Sequence, residues 1–236
     1  AYDALQGRDA ADPAQQPWPV EPVAGCLGRG IDGVRVAVAD GHFARNGHAE
    51  AFAAVAAVAA ALGAGRRVTL PEAARARAAA FLITASEGGN LHLPELRRRA
   101  ADFDPATRDR LLAGNLIPAT WYLQAQRLRA WFRARMAELF QEVDVIVAPA
   151  TPYAAPLLGQ QTVEVDGEVI PVRPTLGVFT QPISFIGLPV LAVPLPRPGR
   201  LPIGVQLIAA PRREEVLFRV AAELERLGVV AAPRPA

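Results

Sequence analysis

The stretch GVFTQPISFIGLPVLAVP, residues 177–194, contains the pattern that decides the fold. It ends in an apolar run, Val190 to Val193, which Pro194 follows, and this predicts a strand buried inside a sheet. A second strand is predicted at Ile203 to Ile208, and the Pro- and Gly-rich residues 194–202 between the two runs are typical of a turn. We therefore predict two strands joined by a turn, with no domain boundary between them.

Upstream of this stretch, strand and helix patterns alternate. Val34 to Ala39 is rich in β-branched residues and favours a strand, and the alanine-rich residues 49–62 end at Gly63, as a helix does. Residues 67–70 favour a second short strand. The order strand, helix, strand predicts a right-handed crossover between two parallel strands.

The middle of the chain is predicted to be helical, from Glu72 to about Glu142, with breaks at Gly88-Gly89, Pro94 and Gly114. Helical spacing places five apolar side chains near one face of its last helix: Trp121, Ala125, Leu128, Phe132 and Leu139. We expect this face to be buried.

The remaining elements complete an α/β pattern. Residues 143–148 predict another buried strand, and residues 162–165 and 168–172 flank an Asp-Gly pair that is typical of a two-residue hairpin turn. A last helix is predicted at 214–227, with an apolar face formed by Val216, Leu217, Val220, Leu224 and Leu227. The fold class is therefore α/β, a mixed β-sheet flanked by helices on both faces.

Composition excludes several classes of function. The 236 residues are 51% hydrophobic and 20% charged, with a net charge of +2, and their scattered arginines form no basic stripe for nucleic acid. The longest apolar stretch, from Ala49 to Leu62, is too short to span a membrane. A single cysteine, Cys26, excludes an internal disulfide and favours the cytoplasm. Three separated histidines predict no metal site.

The residues needed for nucleophilic catalysis do not form a recognisable set. The only serines are Ser86 and Ser184, neither lies in a Gly-x-Ser-x-Gly elbow, and the chain contains no lysine. A lone cysteine in a loop is more often inert than catalytic. The pattern of residues alone therefore predicts no catalytic site.

Six motifs occur in order along the chain: Leu5-Gln6-Gly7-Arg8-Asp9, Arg110 to Gly114 with a following helix, residues 143–152, Phe179-Thr180 followed by Gly187-Leu188-Pro189, residues 201–208, and the helix led by Glu214. Together they resemble the amidase signature family. The resemblance implies an α/β/α sandwich of which residues 1–236 are the C-terminal portion of a single, here incomplete, domain. The opening residues, similar to the end of a helix, agree with this expectation.

The resemblance implies that the chemistry resides elsewhere in the family's fold. Family members use a Ser–Ser–Lys triad and an oxyanion-binding Gly-Ser-rich loop, which belong to the N-terminal half. No residue of this chain is therefore predicted to be catalytic, and no cofactor is implied. We expect the chain to supply one wall of the substrate pocket and to be inactive alone.

Arg110, Gly177 and Ser184 match family positions that contact substrate. Arg110 matches an arginine at the substrate carboxylate in the A subunit of tRNA-dependent amidotransferases, where a guanidinium makes paired hydrogen bonds. The alternative is an arginine on a solvated helix surface. Gly177 stands where the amidotransferases have an Asp for the ammonium group, and Ser184 where they have an Asn. Loss of the Asp makes transamidation the less favoured activity.

Thr180, Gln181 and Ser184 are expected to line the pocket with polar groups, and His92 is a further substrate-binding candidate. The alternative for Thr180 is a helix cap, and for His92 a surface loop. Tyr122 is interpreted as a core aromatic residue rather than a substrate contact.

Three functions remain open at this point. The first is an amide hydrolase acting on a small amide or urea-like substrate, since Phe179 to Pro189 and Ser86 to His92 are more similar to the family's carboxybiuret-hydrolysing branch. The second is the A subunit of a tRNA-dependent amidotransferase, and the third a non-catalytic binding or assembly module. The expected partners are the N-terminal half of the domain and either a small companion subunit or a second copy.

Overall fold

A computed structural model of the protein describes residues 1–231. Its nine helices within these residues are α1 Tyr2–Leu5, α2 Ala49–Ala61, α3 Ala73–Leu91, α4 Leu93–Arg99, α5 Pro105–Gly114, α6 Ala119–Leu139, α7 Val172–Thr175, α8 Gln181–Ser184 and α9 Glu214–Arg226. Its strands are β1 Val36–Asp40, β2 Arg66–Thr69, β3 Val145–Pro149, β4 Thr162–Val165, β5 Glu168–Pro171, β6 Val190–Leu195 and β7 Ile203–Ala209. A helix long and apolar enough to cross the bilayer is absent from this described part.

Five strands form one mixed sheet in the order β2-β1-β3-β7-β6. The strands β2, β1 and β3 are parallel, and β7 runs antiparallel to both of its neighbours. The predicted crossover from β1 through α2 to β2 is confirmed. The hairpin β4–β5 around Asp166-Gly167 is also confirmed, and it stands apart as a separate pair of strands.

Helices cover both faces of this sheet, as predicted. On one face, α2 and α9 bury Val58, Val220 and Leu224 against β1, β3 and β7. On the other face, α3, α6 and the segment 177–188 bury Phe132 and Ile183. Full burial of such a side chain contributes about 1.5–3 kcal/mol, so the sheet lies between two substantial apolar layers.

Helix α3 continues through Gly88-Gly89, so the predicted break there is wrong. The glycines serve packing instead: a Cβ on Gly89 would lie 2.6 Å from the Leu111 carbonyl oxygen, and one on Gly114 would lie 1.9 Å from the Ala85 carbonyl oxygen. The bare backbones therefore allow α3 and α5 to approach closely, which outweighs the low helix propensity of glycine.

Strand β6 continues past Pro194, where the sequence predicts its end. The Ala209 N–H donates to the Pro189 carbonyl, so every second residue of the strand, counted from 189, forms hydrogen bonds with β7. Pro194 is not one of these residues. Its nitrogen faces the open edge of the sheet, where proline is tolerated. Val190 and Ala192 are exposed rather than buried, because the described residues form no helix layer over that side of β6.

On the predicted helix faces, two residues that were expected to be buried are exposed. Trp121 keeps 58% of its surface and Leu227 keeps 41%, whereas the other members of their predicted helix faces are buried or half-buried. Both lie at helix ends, in the first turn of α6 and at the C-cap of α9. A helical repeat predicts which side faces the core but not where along its length the neighbouring layer ends.

Candidate functional site

Two of the six predicted site residues lie in one surface groove. Arg110 from α5 and Gln181 from α8 line a groove of about 450 Å³ together with Phe81, Thr107, Arg173 and Pro174. We call it the arginine groove. The sequence separates these side chains by up to 100 residues, and the packing of α5 and α8 against α3 brings them together.

Arg110 has an exposed guanidinium that lies 5.9 Å from the centre of the Phe81 ring. The neighbouring Arg173 is neutralised, since its Nη1 donates to Asp104 at 3.0 Å. Asp104 also caps α5 by accepting the Thr107 N–H, and that bond, followed by Arg173, lowers the pKa of its carboxyl group. Arg110 has no such ion pair among the described residues, so it is the groove's uncompensated cation.

Gln181 is the first residue of α8, and its side chain is fixed from outside the groove. Its Oε1 accepts a 3.0 Å hydrogen bond from Arg77 Nε, and Arg77 Nη2 donates to the Pro174 carbonyl at 2.6 Å. Burial lowers the pKa of the Arg77 guanidinium. Arg77 was not singled out from the sequence, because one arginine in an Arg-Ala-rich helix resembles a solvated residue.

Gly177 contributes space rather than a functional group. A Cβ at this position would lie 3.0 Å from Gln181 Cδ and 3.3 Å from Gln181 Nε2. The Gln181 N–H also donates to the Gly177 carbonyl at 2.9 Å. The segment from 177 to 181 is therefore a single turn that directs the Gln181 carboxamide against the bare Gly177 backbone.

Thr180, Ser184 and His92 lie outside the residues that line this groove. Thr180 is the N-cap of α8, but its hydroxyl makes no capping bond to the described helix, while its carbonyl accepts from Ile183 and Ser184. Ser184 is exposed, with a long 3.5 Å contact to the Gln181 carbonyl. His92, between α3 and α4, packs its ring 5.8 Å from that of Phe103.

Tyr122 is half-buried against the core, and its hydroxyl participates in a polar network. It donates to Glu87 at 2.7 Å and accepts from Gln126 at 2.8 Å. The bond to Glu87 is the main reason that the pKa of Tyr122 is raised. Both polar partners of the phenol are thus provided by neighbouring helical residues.

A second cavity, missed from the sequence, lies where the parallel strands β1 and β3 end. It has a volume of about 550 Å³, and we call it the hairpin cavity because β4–β5 forms one wall; its lining includes His42, Arg45, Arg77, Pro152, Asp166 and Glu168. The carboxyl ends of parallel strands commonly form ligand sites in α/β proteins. His42 closely follows β1, which is the signal that could have identified it.

His42 is held in this cavity by the backbone. Its Nε2 lies 3.0 Å from the Val178 carbonyl oxygen, which favours the Nε2–H tautomer, and burial lowers the pKa of the ring. Arg77 and Arg45 further disfavour its protonated form. The ring is therefore a neutral contact between β1 and the segment that leads to the arginine groove.

Gln206 anchors the same segment to the sheet. This buried side chain on β7 donates from Nε2 to the Pro149 carbonyl at 2.8 Å and to the Phe179 carbonyl at 3.0 Å. Phe179 itself packs against the rings of Phe43 and Phe52. The buried Gln206 Oε1 has no hydrogen-bond partner among the described residues.

The described residues of the groove offer a cation and hydrogen-bonding groups, but no recognisable catalytic centre. They contain no cluster of His, Cys, Asp and Glu that could hold a metal ion. The sequence has no lysine, and its two serines, Ser86 and Ser184, lie on α3 and α8. The groove can therefore supply a cation and hydrogen-bond donors, but no activated nucleophile.

Comparison with known proteins identifies relatives along nearly the whole chain. A family model described as amidase matches residues 1–218. AtzE, the 1-carboxybiuret hydrolase subunit of Pseudomonas sp. (strain ADP), is 47% identical over 232 residues, which is 97% of this chain and 50% of that protein. The glutamyl-tRNA(Gln) amidotransferase A subunit of Rhizorhabdus wittichii is 33% identical over 156 residues, 63% of this chain and 30% of that protein.

Solved structures agree with this pattern. A chain from a vestigial protein complex, described as revealing the evolutionary origins of an s-triazine catabolic enzyme, is 45% identical with a TM-score of 0.93 and covers 97% of this chain and 50% of its own. The 6-aminohexanoate cyclic dimer hydrolase, 22% identical over 95% of this chain and 51% of its own, shares the fold with a TM-score of 0.74. The chain thus spans about half the length of these relatives.

Proposed function

This chain belongs to the amidase signature family, and we propose that it forms the C-terminal part of an amide hydrolase that acts on a small amide or urea-like substrate. In this function it provides one wall of the substrate pocket. The Ser–Ser–Lys triad and the oxyanion-binding loop are provided by an N-terminal half of the same fold, so the 236 residues alone are inactive.

The arginine groove is the observation that carries this proposal. Arg110 contributes a positive charge without a carboxylate partner in the described structure, and Gln181 contributes a carboxamide that Arg77 holds in place. Groups of this kind bind and orient an oxygen-rich substrate, but they do not break an amide bond. We further propose that Thr180, Ser184 and His92 reach the substrate only from the rim of the completed pocket.

The open β6 edge is the place where we propose that the N-terminal half joins the sheet. Val190 and Ala192 are exposed apolar residues on a strand that pairs with no outer strand within residues 1–231, where its outer side accepts only the Ala231 N–H at the Pro194 carbonyl. The start of the chain packs beside the opposite face of β6, since the Tyr2 ring is 5.0 Å from that of Phe218 on α9, and α9 covers the face that carries Val193 and Leu195.

Hydrolysis is favoured over tRNA-dependent transamidation. The hydrolase relative matches 97% of this chain at 47% identity, whereas the amidotransferase relative named above matches 63% at 33%. Gly177 also has no side chain, and the space beside its backbone is occupied by the Gln181 side chain. Position 177 therefore offers no carboxylate to the ammonium group of an amino acid.

The proposal also covers the partners of the enzyme and its place in the cell. The Pseudomonas relative is named as a hydrolase subunit, and the similar solved chain comes from a protein complex. We therefore propose that the completed enzyme binds a small companion subunit or a second copy of itself. The single buried cysteine is consistent with work in the cytoplasm.

Reconstitution tests the proposed function. This chain is co-produced with the N-terminal half of the Pseudomonas relative, the part that the match does not cover, and ammonia release from biuret is measured. We expect turnover from the pair, none from either half, and none when the triad lysine of the added half is replaced. Turnover by the 236-residue chain alone would overturn the proposal, as would a stable pair that releases no ammonia from biuret, malonamide or malonamate.

A further inference from the structure

The orientation of the Gln181 carboxamide is fixed by chemistry as well as by geometry. A carboxamide has an acceptor oxygen and a donor nitrogen that are similar in shape, so its orientation follows from its hydrogen-bond partners. Arg77 can only donate, and its Nε lies 3.0 Å from Gln181 Oε1. The Gln181 oxygen must therefore face Arg77, and the Nε2 amide group must face the other way.

Arg77 is itself held firmly enough to impose this orientation. It is half-buried, its Nη2 donates to the Pro174 carbonyl at 2.6 Å, and it takes part in no ion pair of the described residues. Pro174 and Gln181 both line the arginine groove. Arg77 thus stands behind the groove wall and fastens two of its parts together.

Gly177 leaves room for the outward amide group. The position that a Cβ would take at Gly177 is 3.3 Å from Gln181 Nε2 and 3.0 Å from its Cδ. Gln181 Nε2 makes no hydrogen bond to another described residue, so both of its N–H groups are free to bind a ligand. Arg110 and Gln181 thus both offer N–H donors in this groove, beside the Thr107 hydroxyl, which can donate or accept, and the one unpaired charge among the described lining residues is positive.

We propose that Arg77 is a positioning residue that holds Gln181 as a hydrogen-bond donor, so that the arginine groove selects amides carrying a carboxylate over neutral or ammonium-bearing amides. This inference rests on the proposed function and names a residue that determines its specificity. A carboxylate accepts from both Arg110 and Gln181, whereas an ammonium group would meet a cation and N–H donors.

Malonamate and malonamide test the proposal, since malonamate has a carboxylate where malonamide has a second amide group. Their binding to the 236-residue chain is followed by NMR through the side-chain amide signals of Gln181, which are assigned with Gln181→Glu. We expect malonamate to shift these signals and to bind about tenfold more tightly than malonamide, as suits a charge-assisted hydrogen bond. Equal affinity for the two compounds, or Gln181 signals that do not move, would overturn it.

Variants separate positioning from general stability. Arg77→Met should abolish most of the preference for malonamate, and Arg77→Lys should restore part of it, because lysine still donates toward Gln181 Oε1. Gly177→Ala should have the same effect as Arg77→Met by displacing the carboxamide, and it serves if Arg77→Met fails to fold. Arg75→Met, on the exposed side of α3, is the matched control.

Retention of the full preference in a folded Arg77→Met or Gly177→Ala chain would contradict the assignment. Because binding is measured without turnover, failure of this selectivity leaves the proposed hydrolysis standing. Failure of the reconstituted hydrolase, in turn, leaves the binding result unchanged.

Discussion

The two edges of the sheet differ in the way that they meet solvent. The β2 edge carries Arg66 and Arg67, which pair with Glu142 and Asp40, and charged side chains of this kind prevent an edge strand from pairing with another strand. The β6 edge instead exposes Val190 and Ala192, without a charged side chain between Val190 and Leu195. The β2 edge thus has the charged side chains of a solvent-exposed edge strand, whereas the apolar β6 edge resembles an internal strand.

This difference connects the fold to the proposed function. The arginine groove and the β6 edge lie at opposite ends of residues 177–195, because the segment that shapes the groove runs directly into β6. A partner that pairs with β6 would therefore bind a strand that begins a few residues after Gln181. The edge and the groove should depend on the same partner.

The largest expected effect comes from placing a charge on the β6 edge. Ala192→Asp should lower ammonia release by the reconstituted pair about a hundredfold or more, because assembly would bury an unpaired carboxylate. The chain alone should keep its thermal stability, since residue 192 is already exposed. Arg66→Asp on the β2 edge is the control and should leave turnover nearly unchanged. Equal losses in both variants would contradict the difference between the edges.

A smaller but clear effect is expected inside the sheet, next to β6. Gln206→Leu removes the donor to the Pro149 and Phe179 carbonyls, and two buried acceptors left without partners should cost about 2–4 kcal/mol. Urea unfolding of the chain alone measures this loss. An unchanged midpoint would show that the segment from 177 to 188 is held by its apolar contacts only.

Asp144, at the start of the central strand β3, should make stability depend on acid pH. Hydrogen bonding to the Arg35 side chain, and then to its backbone N–H, lowers the folded-state pKa of Asp144 below the unfolded value of about 3.9. Its contribution is therefore complete above the unfolded pKa and is lost as the pH falls through the folded pKa. Asp144→Asn should flatten this acid limb in unfolding experiments at about pH 2–6, the range that brackets these pKa values. If Asp144→Asn and the unaltered chain had the same pH profile, the Asp144–Arg35 pair would not contribute to the acid dependence of stability.

The smallest effect is expected at the β2 edge. Arg66→Ala removes an exposed ion pair with Glu142, and such pairs contribute about 0–1 kcal/mol. The same variant should, however, increase self-association slightly, because it uncovers an edge strand. Sedimentation velocity of Arg66→Ala beside the unaltered chain, whose open β6 edge should already cause some association, checks this second effect, and urea unfolding checks the first. A large loss of stability would mean that the pair is structural.

The sequence predicts the elements whose signals are local. The crossover from β1 to β2, the hairpin around Asp166-Gly167 and the apolar face of α9 each follow from spacing and turn chemistry, and all are confirmed apart from Leu227 at the end of that face. The predictions are wrong where the structure of a segment depends on a neighbouring element that is distant in sequence. Gly88-Gly89 continues a helix because α5 packs against it, and Pro194 remains in a strand because its nitrogen faces an open edge.

The candidate site follows the same division. Arg110 and Gln181 were identified through motifs and line one groove, with Gly177 behind the Gln181 side chain, but the spacing of the sequence contains nothing that links Arg77 to Gln181, 104 residues away. The hairpin cavity was also missed, although the position of His42 just after β1 was a local signal for it. Thr180, Ser184 and His92 lie outside the lining of the arginine groove, and their contacts with substrate stay predictions.

Hydrogen exchange at the two edges tests the central claim most directly. The chain is labelled alone and together with the N-terminal half of the Pseudomonas relative, and exchange is followed by mass spectrometry in peptides that cover residues 188–195 and 64–70. We predict that the first peptide, with the free amides of Val190 and Ala192, becomes strongly protected in the pair while the second is unchanged. Protection at β2 instead, or at neither edge in a pair that binds, would contradict the assignment of β6 as the strand that completes the enzyme.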